Sequence, residues 1–178
     1  MIWMAVYRGK YILDGLEEIP PDMEADLDLA YDICQELRDS SPCEMCGRCC
    51  HQHFITVRDD EVDRVAEGAG LDPYTFVKDY LYRDAGRWLF SNVNPCAFLR
   101  EDNKCRIWKD RPQICDDFPY MVSMFMSRVY LSIVNPEHDI LPDLEYMDDT
   151  WPCTPGIKNR VVPMIERARK ARLTRGRK

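Results

Sequence analysis

Cysteine is the residue type whose number and spacing in this sequence could support chemistry. Nine cysteines occur in 178 residues, and four of them form one C-x2-C-x2-C-C run, at Cys43, Cys46, Cys49 and Cys50. Two residues between cysteines allow a tight turn to direct both sulfurs at one ion, and iron–sulfur proteins and zinc ribbons both use such turns. The run therefore predicts a metal site, and the metal stays open between zinc and iron–sulfur.

Four further cysteines are dispersed along the chain, and each has turn-forming residues or a proline nearby: Cys96, Cys105, Cys115 and Cys153. Such surroundings predict loops, which can bend distant sulfurs onto one centre. The eight thiolates suffice for two centres of four cysteines each, or for one centre with a redox-active or spare set. The ninth cysteine, Cys34, lies on the apolar face of a predicted helix, so we interpret it as core packing.

The adjacent residues Cys49 and Cys50 are expected to have different roles. Neighbouring side chains point apart on an extended backbone, so the two sulfurs are poorly placed to share one tetrahedral ion. One of them then serves a second site or acts as an exchangeable ligand. His51 and His53 could add nitrogen ligands, although we favour ordinary partly exposed histidines because thiolates suffice. Vicinal thiols beside histidines are also compatible with an enzyme that uses the metal cluster in its reaction.

Charged residues around Cys115 allow two interpretations. Arg111, like Arg48 and Arg106, could neutralise the charge of an anionic thiolate cluster. In the other interpretation Asp110 is the N-cap of a helix that has a proline in its first turn, and the two interpretations are compatible.

The expected compartment is a reducing one, which would not keep the cysteines paired. A chain of this length needs no disulfides to hold its core, and clustered cysteines in the cytosol are typical of metal or redox sites. The sequence contains no uncharged apolar run near the roughly 20 residues that span a bilayer, and its start lacks the features of a secretory signal. We therefore expect a cytoplasmic protein.

Charge is distributed unevenly along the chain. The net charge is −7, yet residues 158–178 carry nine basic side chains against one acidic side chain. This basic tail either docks on an acidic partner or on nucleic-acid phosphates, or forms a helix whose apolar face packs on the acidic body. Because the body is acidic and lacks a face of interleaved basic and aromatic residues, nucleic acid is disfavoured. We expect contact with the protein itself or with a protein partner through the charged ends.

The hydrophobic pattern predicts helices and strands around these cysteines. Strands are predicted at 2–7 and 88–93, and a β-hairpin at 121–134. Helices are predicted at 22–38, after a capping box formed by residues 56–59, from an Asp72 cap to Tyr82, and at 163–173. The fold class expected is α+β, a small, loop-rich single domain organised around cysteine-ligated metal, with helices at both ends.

Several pieces of the cysteine region occur in order over residues 43–157. They are C-x2-C-G-x-C-C from Cys43, T-x2-D from Thr56, C-x-F-L from Cys96, C-x-I-W from Cys105, D-R-P-x2-C-x2-F-P from Asp110, and C-x2-G from Cys153. Together they resemble the YkgJ-type cysteine cluster proteins, a family described as zinc- or iron-chelating. The resemblance implies metal binding by eight cysteines: Cys43, Cys46, Cys49, Cys50, Cys96, Cys105, Cys115 and Cys153.

This resemblance divides the chain into three parts. Residues 1–42 form an acidic N-terminal segment with a strand and a helix, residues 43–157 the cysteine-cluster domain, and residues 158–178 the basic C-terminal helix or tail. We expect one or two iron–sulfur clusters of the [4Fe–4S] type, held by an accessory protein that carries electrons or metal for a partner. The alternatives are a zinc-stapled interaction module, or an enzyme that uses the Cys49–Cys50 pair.

Overall fold

The computed structural model describes residues 4–7, 10–13, 18–41, 43–51 and 55–175, so His53 lies outside the described residues. It combines helices with two small antiparallel sheets, which confirms the α+β class. The chain separates into two units. The helical unit contains Met1–Pro42 and Pro119–Lys178, and the cysteine unit contains Cys43–Phe118. The three-part division expected from the sequence stays a prediction.

The cysteine unit is one continuous segment of the chain, and the elements of the helical unit precede and follow it. The strands are β1 (Met4–Tyr7), β2 (Lys10–Leu13), β3 (Thr56–Val57), β4 (Leu81–Asp84) and β5 (Arg87–Phe90). The α-helices are α1 (Pro21–Asp39), α2 (Val62–Ala69), α3 (Pro73–Tyr80), α4 (Gln113–Asp117), α5 (Ser123–Val134), α6 (Leu141–Thr150) and α7 (Ile157–Arg175). Short 3₁₀ helices cover Arg48–His51, Asp59–Glu61 and Trp108–Asp110. No helix among the described residues is long and apolar enough to cross a membrane.

The helical unit has a core of ordinary apolar side chains. Helix α1 buries Leu27, Ala30, Cys34 and Leu37, which recur at helical spacing, and this confirms both the predicted helix and the assignment of Cys34 to the core. Helix α7 covers the predicted 163–173 and starts six residues earlier, and its apolar face joins the same core.

The basic helix α7 is tied to the acidic helix α1 by ion pairs. Asp26 of α1 is buried and accepts hydrogen bonds from Arg172 Nε at 2.7 Å and Arg175 Nη2 at 3.3 Å. The tail therefore packs on its own chain through an apolar face and through charge, as one interpretation of the sequence expected.

The β-hairpin predicted at 121–134 is wrong, because this segment is helix α5. Its β-branched and aromatic residues favour strands, but Phe125, Met126, Val129 and Ile133 are buried at a spacing that only a helix provides. Ser127 and Arg128, near the middle of the predicted hairpin where its turn would fall, lie inside the helix. The acidic segment that follows forms α6, which the sequence analysis did not anticipate.

The cysteine unit contains the short helices α2, α3 and α4 and a three-stranded sheet with the order β3-β5-β4. Phe76, Phe90 and Phe98 form an aromatic cluster in its core, with ring centroids 5.4 to 6.2 Å apart. Helix α3 starts at the predicted Asp72 cap, whose carboxylate accepts the Thr75 N–H at 3.0 Å, and ends two residues before the predicted Tyr82. The second predicted strand is confirmed as β5, which ends at Phe90.

The capping box predicted at residues 56–59 is wrong. Thr56 and Val57 form strand β3, and the 3₁₀ helix before α2 begins at Asp59. The acidic residue that caps this turn is Glu61, whose carboxylate accepts the Arg58 N–H at 3.1 Å. The observed box, formed by Arg58 and Glu61, therefore lies two residues after the predicted one.

Candidate metal centre

Gly47 fixes the first cysteine run against the second group of cysteines. Its φ is +73°, a backbone conformation that L side chains rarely adopt. A Cβ at this position would lie 3.2 Å from the Asn103 Cβ and 3.2 Å from the Leu99 Cδ1. Only glycine satisfies both constraints, so the turn after Cys46 packs closely on the loop between Cys96 and Cys105.

Cys49 and Cys50 lie in the 3₁₀ helix Arg48–His51, and their Sγ atoms are 4.0 Å apart. The expectation that these sulfurs point apart is wrong, because a 3₁₀ helix turns about 120° per residue, where an extended strand alternates. Four sulfurs around one ion at about 2.3 Å are separated by about 3.8 Å in a tetrahedron. The pair therefore has nearly the sulfur–sulfur spacing that a shared ion requires.

Backbone N–H groups point at three of the cysteine sulfurs from two residues further along the chain. Met45 N–H donates to Cys43 Sγ at 3.3 Å, the N–H of Phe98 donates to Cys96, and that of Ile107 donates to Cys105. Burial raises the pKa of each of these thiols, and the N–H···S bonds partly offset that rise because they stabilise the charged thiolate. Such bonds orient metal-bound sulfurs and disperse their charge.

The first cysteine run and the dispersed cysteines are joined within the unit. The Cys96 N–H donates to the Cys50 carbonyl oxygen at 2.7 Å. Cys49 is close enough that its charge raises the pKa of five other cysteines, which come from both groups: Cys43, Cys50, Cys96, Cys105 and Cys115. Cys46 also raises the pKa of Cys43. Six of the eight predicted ligands, Cys49 included, thus lie within electrostatic range of Cys49, and Cys46 lies within range of Cys43.

Two opposing effects control the charge of these thiols. Burial raises the pKa of Cys96, Cys105 and Cys115, so these thiols resist ionisation without a nearby cation. The hydrogen bond from Cys50 lowers the pKa of Cys49 to about 7. The same bond is the main cause that raises the pKa of Cys50, and burial is the second cause. Thiols that are close together and costly to ionise suit a bound cation, which compensates several thiolate charges at once.

Arg111 supplies a positive charge beside the cysteines, as the sequence analysis proposed for it. Burial raises the pKa of Cys43, Cys105 and Cys115, and the Arg111 guanidinium partly offsets that rise. The other interpretation, with Asp110 as the N-cap of a helix, is only partly correct. The short helix α4 does follow, but its N-cap is Pro112, and Asp110 is the last residue of the preceding 3₁₀ helix.

Glu61 is a site residue that the sequence reasoning missed. It is 3% exposed, and its Oε1 accepts the N–H of Gln113, the first residue of α4, at 2.8 Å, and Arg64 Nη2 at 3.0 Å. Helix α4 carries Cys115, so this buried carboxylate holds the backbone on which that thiol stands. The sequence feature that could have indicated Glu61 is an acidic residue directly before the apolar face of a helix, and this feature alone predicts only a helix N-cap.

Cys153 belongs to the helical unit, in the turn between α6 and α7. Its carbonyl oxygen accepts the Tyr120 hydroxyl at 3.2 Å, and its thiol contributes to raising the pKa of Tyr120, although burial of the phenol is the main cause. Its assignment as a metal ligand stays a prediction. His51 is exposed at the end of the 3₁₀ helix that carries Cys49 and Cys50.

Within the described ranges, no group of three or more His, Cys, Asp or Glu side chains is arranged to hold a metal ion directly. The donor set nevertheless fits a thiophilic metal, because the neighbourhood is all thiol, receives N–H···S bonds and has an arginine beside it. Binding then requires the sulfurs to close in on the ion, as is usual where metal binding is coupled to folding.

These features define a cysteine-rich metal-binding protein. The sequence matches the CxxCxxCC family, described as "Putative zinc- or iron-chelating domain", over residues 42–147, and the chain belongs to this family. The match includes seven of the eight predicted ligands, Cys49 among them, and ends before Cys153. No curated protein and no solved structure matches the chain at a significant level.

Proposed function

We propose that the cysteine unit holds an iron–sulfur centre and that the protein acts as an accessory factor that carries electrons or metal for a partner protein. The observation that carries the proposal is the position of Cys49. Its charge acts on thiols from both cysteine groups, so ligands that are more than 60 residues apart in sequence meet in one neighbourhood. Ionising several of these thiols together is unfavourable unless a cation compensates the thiolate charges.

The number of thiols favours iron–sulfur over zinc. A closed structural zinc site uses four ligands. Cys49, in contrast, lies within electrostatic range of five other thiols, Cys46 lies within range of Cys43, and Cys153 is predicted to contribute. Iron–sulfur clusters are held by cysteine thiolates, and hydrogen bonds to the sulfurs tune their potentials. The three N–H···S bonds and the Arg111 charge supply such tuning.

An iron–sulfur cluster, when bound, supplies one-electron transfer, and the side chains of the unit provide its setting. Cys49 and its neighbours bind, the N–H groups of Met45, Phe98 and Ile107 orient and stabilise thiolates, and the aromatic core excludes water behind Cys96. The Cys43 side is exposed, which provides the access that a partner requires for exchange of electrons or metal. We also propose a cytoplasmic location, because all nine cysteines are free thiols.

A zinc-stapled interaction module is the second candidate. It is favoured by the 4.0 Å separation of Cys49 Sγ and Cys50 Sγ, which is close to the edge of a tetrahedral zinc site. In this case the metal only holds the loops together, and the charged surfaces of the protein bind the partner.

Metal analysis of protein purified without oxygen tests the proposal. We expect iron and inorganic sulfide with visible absorbance in the wild type, a large loss of both in Cys49→Ser, and unchanged content in Cys34→Ala, the matched control whose cysteine lies in the helical core. Colourless protein with zinc would support the second candidate. Protein with less than about one metal ion per chain would refute both.

A further inference from the structure

Arg111 has one polar group that the described part of the chain leaves unsatisfied. Its Nε is buried and finds no hydrogen-bond partner among the described residues. A buried donor without an acceptor is costly, and more so when it belongs to a charged group. The arrangement therefore points to an acceptor that binds at this position.

The rest of the guanidinium is held in a fixed orientation. It stacks on the Trp108 ring, 3.8 Å from the ring centroid. Nη1 donates to the Trp108 carbonyl oxygen, and Nη2 pairs with the Asp116 carboxylate. The Arg111 carbonyl oxygen itself accepts Arg64 Nη1 at 3.1 Å. Nη1 and Nη2 each already have a partner, and Nε is the guanidinium nitrogen that has none among the described residues.

The side chains near Arg111 identify the chemistry of that acceptor. Its charge acts on thiols from the first run and from the dispersed group, Cys43, Cys105 and Cys115. A thiolate or a cluster sulfur is the anionic acceptor that this neighbourhood offers, and a charge-assisted hydrogen bond to it is stronger than a neutral one.

We propose that Arg111 donates its Nε–H to a sulfur of the bound metal centre and thereby slows loss of the metal. The proposal rests on the proposed function, and it holds for either metal because thiolate sulfur is the acceptor in both cases. Trp108 and Asp116 are the positioning residues that aim the donor.

The test compares two substitutions at Arg111 with a matched substitution elsewhere in the unit. Arg111→Gln removes the charge, and Arg111→Lys keeps the charge but lacks the Nε donor. Arg83→Gln is the control, since Arg83 also stacks on a tryptophan, with its guanidinium carbon 4.8 Å from the Trp88 ring centroid, in the β4–β5 hairpin. The measurements are the rate of metal loss to a chelator and the position of the sulfur-to-metal charge-transfer band, with cobalt(II) in place of zinc if the native metal is colourless.

We expect Arg111→Gln to lose metal about tenfold faster than the wild type, Arg111→Lys severalfold faster, and Arg83→Gln at the wild-type rate. The charge-transfer band should move to longer wavelength in both Arg111 variants, because a lost N–H···S bond raises the energy of the sulfur electrons. If wild-type protein carries metal and both Arg111 variants keep its rate and band, the inference is overturned. Faster loss with an unmoved band also overturns it, by assigning Arg111 a structural role alone. Wild-type protein without metal would instead contradict the proposed function.

Discussion

The helical unit and the cysteine unit reach stability by different means. The helical unit buries Leu27, Leu37 and Val129 completely on helices α1 and α5. The buried carboxylate of Asp26 in the same unit is paired with two arginines. The cysteine unit has short elements, loops with positive φ, and thiols where a core would place apolar side chains. The contrast shows that apolar burial specifies the first unit, whereas the loops of the second also depend on what their sulfurs bind.

Metal removal should produce the largest difference in amide protection between the two units. We expect a chelator to abolish amide protection in residues 43–51 and 96–107, because a structural metal contributes on the order of 10 kcal/mol to a small thiolate site. The amides of α1 should stay protected, since apolar contacts hold them. Hydrogen exchange with and without metal measures this, and equal loss of protection in α1 would contradict independent stabilisation.

A core substitution in the helical unit should show the opposite pattern. Leu27→Ala removes a fully buried side chain and should lower the free energy of unfolding by about 2–5 kcal/mol. The metal content of the folded protein should stay unchanged because Leu27 belongs to the other unit. Denaturant unfolding and metal analysis check the two parts, and metal loss in folded protein would break the comparison.

The two buried carboxylates provide a matched pair. Glu61→Gln weakens the acceptor that holds the start of α4 and should cost about 1–3 kcal/mol, with faster metal loss because Cys115 is less well held. Asp26→Asn should destabilise the helical unit through its lost pairs with Arg172 and Arg175. Thermal unfolding and chelator competition measure both variants, and equally fast metal loss in both would remove the proposed role of Glu61.

Two glycines with the same backbone conformation sharpen the comparison further. Gly47→Ala and Gly86→Ala both place a side chain at positive φ, which costs roughly 1–2 kcal/mol. Only Gly47 also has neighbours at 3.2 Å, whereas a Cβ at Gly86 meets nothing within 4 Å. We expect Gly47→Ala to be the more destabilising and to weaken metal binding. Identical unfolding curves and metal affinity for the two variants would contradict the role given to the Gly47 turn.

The sequence was informative where one local rule governs. Helical spacing predicted α1 and the burial of Cys34, and the Asp72 cap predicted the start of α3. Helix α5 was mistaken for a hairpin because its residues favour strands locally, and tertiary packing decided the outcome. The class of site followed from cysteine spacing, and the family match agrees with it.

Other features of the site required three-dimensional information. A 3₁₀ turn brings Cys49 Sγ to 4.0 Å from Cys50 Sγ. No local sequence pattern indicates this turn, and the prediction for the two sulfurs rested on an extended backbone. The contact of Glu61 with Gln113 spans 52 positions, and the unsatisfied Arg111 Nε depends on packing around Trp108. Long-range hydrogen bonds of this kind leave no periodic pattern along the chain.

X-ray absorption at the edge of the bound metal, on protein purified without oxygen, tests the central claim most directly. The account predicts a first shell made of sulfur alone, at about 2.3 Å, because the donors around Cys49 are thiols. A first shell dominated by nitrogen or oxygen, or protein that binds no metal at all, would contradict it.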